Sequence, residues 1–173
     1  MYHFRPLTPQ DRPLFDTWLS QPHIQGWWGD ATTEWALIEQ DWAQGQTLTD
    51  MRIVELDGTA FAYIQDYDTH VYDMPHYTRL PRGTRAIDTF LGDPAYLSRG
   101  HAAGYLRQRA QELCAAGAPL VVVDPEPENH RAVAAYRKAG FQGECVVPSE
   151  DGTPALILTY PEQYPIQAPK DPQ

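Results

Sequence analysis

The spacing of apolar residues near the start of the chain predicts a short strand followed by two helices. Residues 2–5 alternate as a strand does, and Thr8 with Pro9 forms a favourable helix start. Apolar residues then recur three and four positions apart, as they do on one buried helix face. They are Leu14, Phe15, Trp18 and Leu19 in the first predicted helix, and Trp35, Leu37, Ile38 and Trp42 in the second, residues 32–43.

The middle of the chain predicts a hairpin and a long loop. Alternating residues over 52–56 and 60–65 flank Asp57-Gly58, a pair typical of tight hairpin turns. Residues 66–85 are polar and lack a clear period, so we expect a loop, and long loops often serve binding sites.

Strands and helices alternate beyond this loop. The continuous apolar run at residues 120–123 is typical of a strand buried on both faces. The full order is strand, two helices, three strands, helix, strand, helix and two strands, which describes an α/β domain with a mixed sheet. The other predicted elements are strands at 87–91, 141–147 and 155–160, and helices at 100–116 and 129–138.

Length and composition favour one globular domain. A chain of 173 residues, 42% of them hydrophobic, can bury a sizeable core. We assign the domain to residues 1–160 and predict a disordered tail over residues 161–173, which hold four prolines. The sequence contains neither a run of roughly 20 apolar residues nor a signal peptide, so we expect a cytoplasmic protein without a membrane segment. Cys114 and Cys145 are expected to be buried free thiols.

The formal net charge of -10 argues against a nucleic-acid partner, because phosphate binding needs a basic surface. An acidic surface attracts cations and polyamines instead. Many enzymes, however, are acidic for solubility alone.

Small residues crowd the start of the helix predicted at residue 100. Because a strand ends just before them, at Leu91, their backbone N–H groups would be unhindered at the positive end of the helix, which suits a pyrophosphate. Close packing of the helix on the sheet would explain the same residues. They are Ser98, Gly100, Ala102, Ala103 and Gly104.

The spacing seen after the fifth strand of GNAT acetyltransferases recurs within residues 121–141, at Asn129, Ala132, Tyr136, Lys138, Gly140 and Phe141. The segment from Leu97 to Ala102 is similar to that superfamily's Gln/Arg-x-x-Gly-x-Gly/Ala motif, with Leu97 in place of the first Gln or Arg. The departure removes one side-chain contact and leaves the backbone donors. The resemblance implies a single GNAT-type α/β domain, a central mixed and mostly antiparallel sheet flanked by helices, and acetyl-CoA as co-substrate.

A closer likeness covers most of residues 14–160. The segments HIQGWWGD, AYIQDYD, AIDTFLGDP and PSEDGTPALILTY resemble the aminoglycoside 6'-N-acetyltransferases and the related acetyltransferases of hydroxylysine in siderophore synthesis. The likeness implies transfer of an acetyl group to a primary amine of a small molecule, without a metal, by a monomer or homodimer. The implied cofactor contacts are Phe90, Leu91, Arg99, Gly100, His101, Ala102, Ala103, Gly104, Asn129, Ala132 and Tyr136.

The resemblance also implies catalytic residues. Asp88 matches the family's proposed catalytic aspartate and could take a proton from the acceptor ammonium, and Asp124 is the second candidate. Tyr136 matches the tyrosine that can protonate the departing thiolate. Either aspartate could instead be a turn or cap residue, Tyr136 a core residue, and Asn129 a helix cap.

An acidic cleft beside Trp27 is the candidate acceptor site. If Arg79, Arg82 and Arg85 also face it, an acceptor with a carboxylate is favoured, whereas solvated arginines leave a polyamine such as an aminoglycoside. The carboxylates of this predicted cleft are Asp66, Asp68, Asp88, Asp124 and Asp151.

Other classes of function fit the sequence less well. His70 and His76 lack a third metal ligand, and we expect them to be surface histidines. No Gly-x-Ser-x-Gly motif indicates a serine hydrolase. A GNAT-fold module that binds acyl-CoA without catalysis remains as an alternative.

Overall fold

The computed structural model describes residues 1–44 and 48–160, and its elements follow the predicted order. The predicted tail lies outside the described residues. In the described part of the chain, no helix has both the length and the hydropathy to cross a membrane. The helices are α1 Arg12–Leu19, α2 Ala31–Ala43, α3 His101–Ala115 and α4 His130–Ala139. The strands are β1 His3–Pro6, β2 Thr49–Leu56, β3 Thr59–Asp68, β4 Arg85–Leu91, β5 Val121–Val123, β6 Gln142–Pro148 and β7 Pro154–Tyr160.

The chain folds into two compact units. The first unit comprises Met1–Tyr67 and Asp88–His101, and therefore holds β1, β2, most of β3, α1 and α2. The second comprises Asp68–Ile87 and the described residues from Ala102 onward, with α4, β5, β6 and β7. Strand β4 contributes its first residues to the second unit and its last residues to the first.

The strands form one sheet in the order β1-β2-β3-β4-β5-β7-β6. The pairs β1–β2, β2–β3, β5–β7 and β6–β7 are antiparallel, whereas β4 and β5 are parallel. The predicted mixed and mostly antiparallel sheet is therefore confirmed. All three residues of β5 are buried, as the continuous apolar run predicted.

Aromatic residues build the core of the first unit. Phe15 of α1 packs edge to face against Trp35, Tyr63 and Phe90, with ring centroids 5.5, 5.1 and 5.4 Å away. This is the buried face predicted for α1. The prediction for α2 needs one correction, because Leu37 is 56% exposed. Leu37 comes two residues after Trp35, about 200° further around the helix, and so faces away from the core.

Two sharp turns in the first unit depend on particular residues. Asp57 and Gly58 both have positive φ, 50° and 78°, which agrees with the predicted hairpin turn between β2 and β3. After β4, Gly92 lies directly against Trp18, since a Cβ on Gly92 would come within 2.1 Å of the indole ring. A side chain at residue 92 would therefore displace Trp18 from the core.

Helix α4 of the second unit begins and ends at the predicted signals. Asn129 Oδ1 accepts a hydrogen bond of 3.2 Å from the Ala132 N–H, and the chain leaves the helix at Gly140. Arg107 of α3 donates to the carbonyls of Lys138 and Ala139, the last residues of α4. These bonds satisfy carbonyls that the helix leaves unpaired and join α3 to α4.

Two more predictions about burial need correction. The segment between β3 and β4 contains a short 3-10 turn, Pro75–Tyr77, in which Tyr77 is 0% exposed, so this segment is not simply a polar loop. Cys114 and Cys145 are free, as expected, but they are half-buried rather than buried. Both errors concern packing between distant parts of the chain, which local composition does not reveal.

Candidate functional site

The turn before α3 has an unusual backbone. Ser98 and Gly100 lie in the left-handed region, with φ of 60° and 83°, and both are exposed together with Arg99. A serine rarely adopts positive φ, whereas glycine does so without strain. Turns with left-handed residues at the start of a helix direct backbone N–H groups toward an anion. This turn therefore fits the diphosphate of a coenzyme, as predicted for Arg99 and Gly100.

Several predicted cofactor residues have side chains that the first unit already uses. Phe90 is 5% exposed and packs against Phe15, Trp18, Trp28 and Tyr63, so its predicted cofactor contact is corrected to the backbone alone. The core claims this ring because β4 turns residue 90 toward α1.

Backbone and side-chain bonds occupy the two ends of the same segment. The Leu91 carbonyl accepts a hydrogen bond of 2.8 Å from His23 Nε2. His101 Nδ1 lies 3.1 Å from the Tyr2 hydroxyl, and the His101 ring packs against Phe61 and Tyr96. The His101 side chain thus holds the turn in place, and its backbone N–H remains the predicted ligand.

The predicted residues of the second unit lie on α3 and α4. Ala103 is buried, while Ala102, Gly104 and Ala132 are half-buried. Tyr136 is 8% exposed, and its ring packs edge to face on Phe141 at 5.9 Å. Asn129 caps α4, so the structural roles considered for Asn129 and Tyr136 are both present. A cap and a packed ring do not prevent a second role, because the Asn129 amide N–H₂ and the Tyr136 hydroxyl are separate atoms.

Asp88 belongs to a polar network on β3 and β4. Its Oδ2 accepts a hydrogen bond of 2.9 Å from Gln65 Nε2, and Gln65 Oε1 accepts one of 2.7 Å from the Tyr63 hydroxyl. The Tyr63 ring packs edge to face on Trp28 at 6.0 Å. Asp88 is half-buried, so its carboxylate is fixed by the network and still partly accessible.

Further carboxylates act on the same network. Burial holds the pKa of Tyr63 well above its usual value, and the charges of Asp88, Glu34 and Asp41 raise it further. Burial likewise raises the pKa of Glu34, although the Gly29 N–H donates a bond of 3.1 Å to it. Asp41 Oδ2 is buried and has no hydrogen-bond partner among residues 1–44 and 48–160. The first unit thus gathers negative charge around one tyrosine hydroxyl.

Asp124 follows β5 and pairs with a histidine that the sequence placed on the surface. His76 Nε2 lies 2.9 Å from Asp124 Oδ2, and 0% of the His76 side chain is exposed. The prediction of a surface histidine is therefore wrong for His76. Its neighbours Pro75 and Tyr77 form the 3-10 turn that carries the ring inward. His70 is exposed, as predicted.

The other acceptor candidates differ in exposure. Trp27 is 42% exposed, whereas Asp66 is only 1% exposed, so an acceptor cannot reach Asp66 in this conformation. Asp151 lies in the exposed turn between β6 and β7, where hydrogen bonds from Ser149 and Thr153 lower its pKa to about 2. Among the predicted carboxylates, Asp66 therefore needs correction as a direct contact.

The arginines of the segment before β4 are mostly in solvent. Arg79 and Arg82 are exposed, and Arg85 is half-buried on β4 itself. Within the two described stretches of the chain, no group of three or more His, Cys, Asp or Glu side chains is arranged to hold a metal ion.

Sequence reasoning missed three contributors to these networks, namely Gln65, Glu34 and His76. For Gln65 a signal was available, because alternation along β3 puts Tyr63, Gln65 and Tyr67 on one face. Glu34 and His76 gave no signal, since both depend on contacts with residues far away in the sequence.

Comparisons with known proteins agree with this architecture. A family model described as an acetyltransferase (GNAT) domain matches residues 8–147. The aminoglycoside N(6')-acetyltransferase type 1 of Klebsiella pneumoniae is 29% identical over 168 residues, which cover 92% of this chain and 82% of that protein. The crystal structure of aminoglycoside acetyltransferase AAC(6')-Ib with coenzyme A has a TM-score of 0.81 and 27% identity, covering 94% of this chain and 96% of that chain. The same enzyme with coenzyme A and kanamycin gives a TM-score of 0.79 at 26% identity, again over 94% and 96% of the two chains.

Proposed function

The chain belongs to the GNAT acetyltransferase family, and from that premise we propose that it transfers an acetyl group from acetyl-CoA to the 6'-amine of an aminoglycoside. It is accordingly an N-acetyltransferase that uses acetyl-CoA as co-substrate. The observation that carries the aminoglycoside is the similarity to AAC(6')-Ib in its complex with coenzyme A and kanamycin, over 94% of this chain.

Amide formation requires a neutral amine. An alkyl ammonium has a pKa near ~10.4, so freeing its lone pair at neutral pH costs about 4 kcal/mol unless a nearby group takes the proton. We assign this role to Asp88, because Gln65 fixes one oxygen of its carboxylate and the residue stays partly accessible. Asp124 is the second carboxylate that we assign to the acceptor.

The remaining roles follow the family motif. The Ser98–Gly100 turn and the start of α3 would bind the diphosphate, and Asn129 would bind the pantetheine arm. Tyr136 would return a proton to the departing thiolate. Much of the rate would come from positioning amine and thioester together, without a covalent acyl-enzyme.

The exposure of Arg79 and Arg82 favours a polycationic acceptor over one that carries a carboxylate. Two solvated guanidinium groups are already neutral toward the acceptor, since exposed charges are strongly screened. The hydroxylysine-type acceptor therefore remains the second candidate.

The direct test mixes the purified chain with acetyl-CoA and kanamycin and follows free thiol, with mass spectrometry of the acceptor. We expect one acetyl group on kanamycin and no product from a matched aminoglycoside that carries a 6'-hydroxyl in place of the amine. Thiol release with hydroxylysine-type amines but not with aminoglycosides would contradict the assignment. Coenzyme A binding without turnover of any amine would identify a non-catalytic module instead.

A further inference from the structure

His76 is buried to a degree that its sequence context does not explain. None of its side chain is exposed, and the ring packs on Tyr77 with centroids 4.1 Å apart. Its Nε2 lies 2.9 Å from Oδ2 of Asp124. An ionised carboxylate only accepts hydrogen bonds, so Nε2 carries the proton and donates it. An apolar residue of similar size would fill the same space without desolvating a polar ring.

The second ring nitrogen distinguishes this histidine from one that merely joins two parts of the fold. Nδ1 is buried and has no hydrogen-bond partner among the described residues. Glu150 Oε2, in the turn between β6 and β7, lies 3.8 Å from Nδ1, which is beyond hydrogen-bond distance. Buried polar atoms in folded proteins are generally satisfied. The bond to Asp124 is therefore the one strong polar contact for which the imidazole is kept.

Asp124 is left with one fixed oxygen and one free oxygen. Its side chain is 24% exposed, and Oδ1 accepts no hydrogen bond within the part of the chain that the structure describes. A carboxylate held in one orientation binds a cation without first losing rotational freedom. Such a group suits an ammonium, which needs an accessible anionic oxygen.

We propose that His76 is a positioning residue for acetyl transfer, fixing the Asp124 carboxylate so that its free oxygen binds an ammonium of the amine acceptor. The inference rests on the proposed function, because that function brings an amine to Asp124. His76 cannot touch the acceptor, since its side chain is wholly buried, and it acts only through Asp124.

The test compares His76→Leu with His76→Gln in steady-state kinetics with kanamycin and acetyl-CoA. Leucine removes the donor, whereas the glutamine amide can place an N–H near the position of Nε2. We expect His76→Leu to raise KM for kanamycin about ten- to a hundredfold, as for loss of a hydrogen bond to a charged group, while KM for acetyl-CoA stays within twofold. His76→Gln should recover most of the lost affinity.

A double variant tests whether His76 works through Asp124. Asp124→Asn alone should raise KM for kanamycin, and adding His76→Leu should raise it little more, because residues in one network are not additive. His70→Leu is the matched control, since His70 is an exposed histidine in the same segment and should leave both KM values unchanged. If His76→Leu does not fold, His76→Asn replaces it, because its shorter amide cannot reach Asp124.

The possible results separate the two proposals. Native turnover of kanamycin together with unchanged KM in His76→Leu would overturn this inference and leave the proposed function standing. Equal losses in the leucine and glutamine variants, parallel rises of both KM values, or fully additive losses in the double variant would also overturn it, because His76 would then serve the fold alone. Absence of native turnover with every amine tested would overturn both.

Discussion

Asp88 shows how a single residue can be held and still remain available. Gln65 donates to its Oδ2, and the Tyr63 hydroxyl donates to Gln65, so the carboxylate is oriented from inside the first unit. Networks of this kind restrict the rotamers of their members. The orientation leaves the second oxygen for a proton that an acceptor ammonium must lose.

The substitution Asp88→Asn should therefore depress kcat/KM most at low pH. Near pH 6 the amine is almost entirely ammonium and depends on the base, so we expect a loss of about a hundredfold or more. Near pH 9 more of the amine is already neutral, and the loss should shrink to about tenfold or less. The measurement is a pH profile of kcat/KM for kanamycin.

Asp57→Asn is the control for that profile. It removes the same charge from the exposed turn between β2 and β3, and asparagine tolerates the positive φ of residue 57. Its profile should overlay the native one. A loss in Asp88→Asn that is the same at every pH would show that the residue orients the acceptor and does not take its proton.

At the scale of elements, the turn before α3 is the feature on which cofactor binding depends most. Gly100 has a φ of 83°, which a β-branched residue adopts only with strain, and a side chain there would project from the turn that we assign to the diphosphate. Gly100→Val should weaken coenzyme A binding about tenfold or more, measured by isothermal titration calorimetry.

Gly117→Val imposes similar backbone strain at the other end of α3. Gly117 has a φ of 106°, and nothing lies within 4 Å of a Cβ built on it, so this variant should lose stability without losing coenzyme affinity. Thermal melts of both variants would measure the strain. Native coenzyme affinity in Gly100→Val would mean that the diphosphate binds elsewhere.

The sequence predicted the elements well wherever the signals were local. Asp57-Gly58 specifies its hairpin turn and Asn129 with Gly140 specifies the ends of α4, because each signal acts within a few residues. Burial was harder to predict. Leu37, Phe90 and His76 were misplaced because their surroundings come from distant segments, which one sequence without relatives does not reveal.

For the whole molecule, the net charge of -10 becomes relevant once the acceptor is taken to be a polycation. An acidic protein raises the local concentration of cations and opposes the approach of anions. Kanamycin carries several ammonium groups at neutral pH, and acetyl-CoA carries phosphates. The two substrates of the proposed reaction should therefore respond to salt in opposite directions.

Raising ionic strength from about 10 mM to about 200 mM shortens the screening length from roughly 30 Å to under about 10 Å, which removes most long-range attraction. We expect KM for kanamycin to rise several-fold over this range and KM for acetyl-CoA to fall or stay constant, with little change in kcat. A neutral osmolyte at matched osmolarity should change neither KM, which would exclude a general effect on the fold. Parallel changes in both KM values would contradict electrostatic attraction, because attraction of one substrate and repulsion of the other cannot give the same sign. A flat KM for kanamycin would limit recognition to short-range contacts such as those proposed for Asp88 and Asp124.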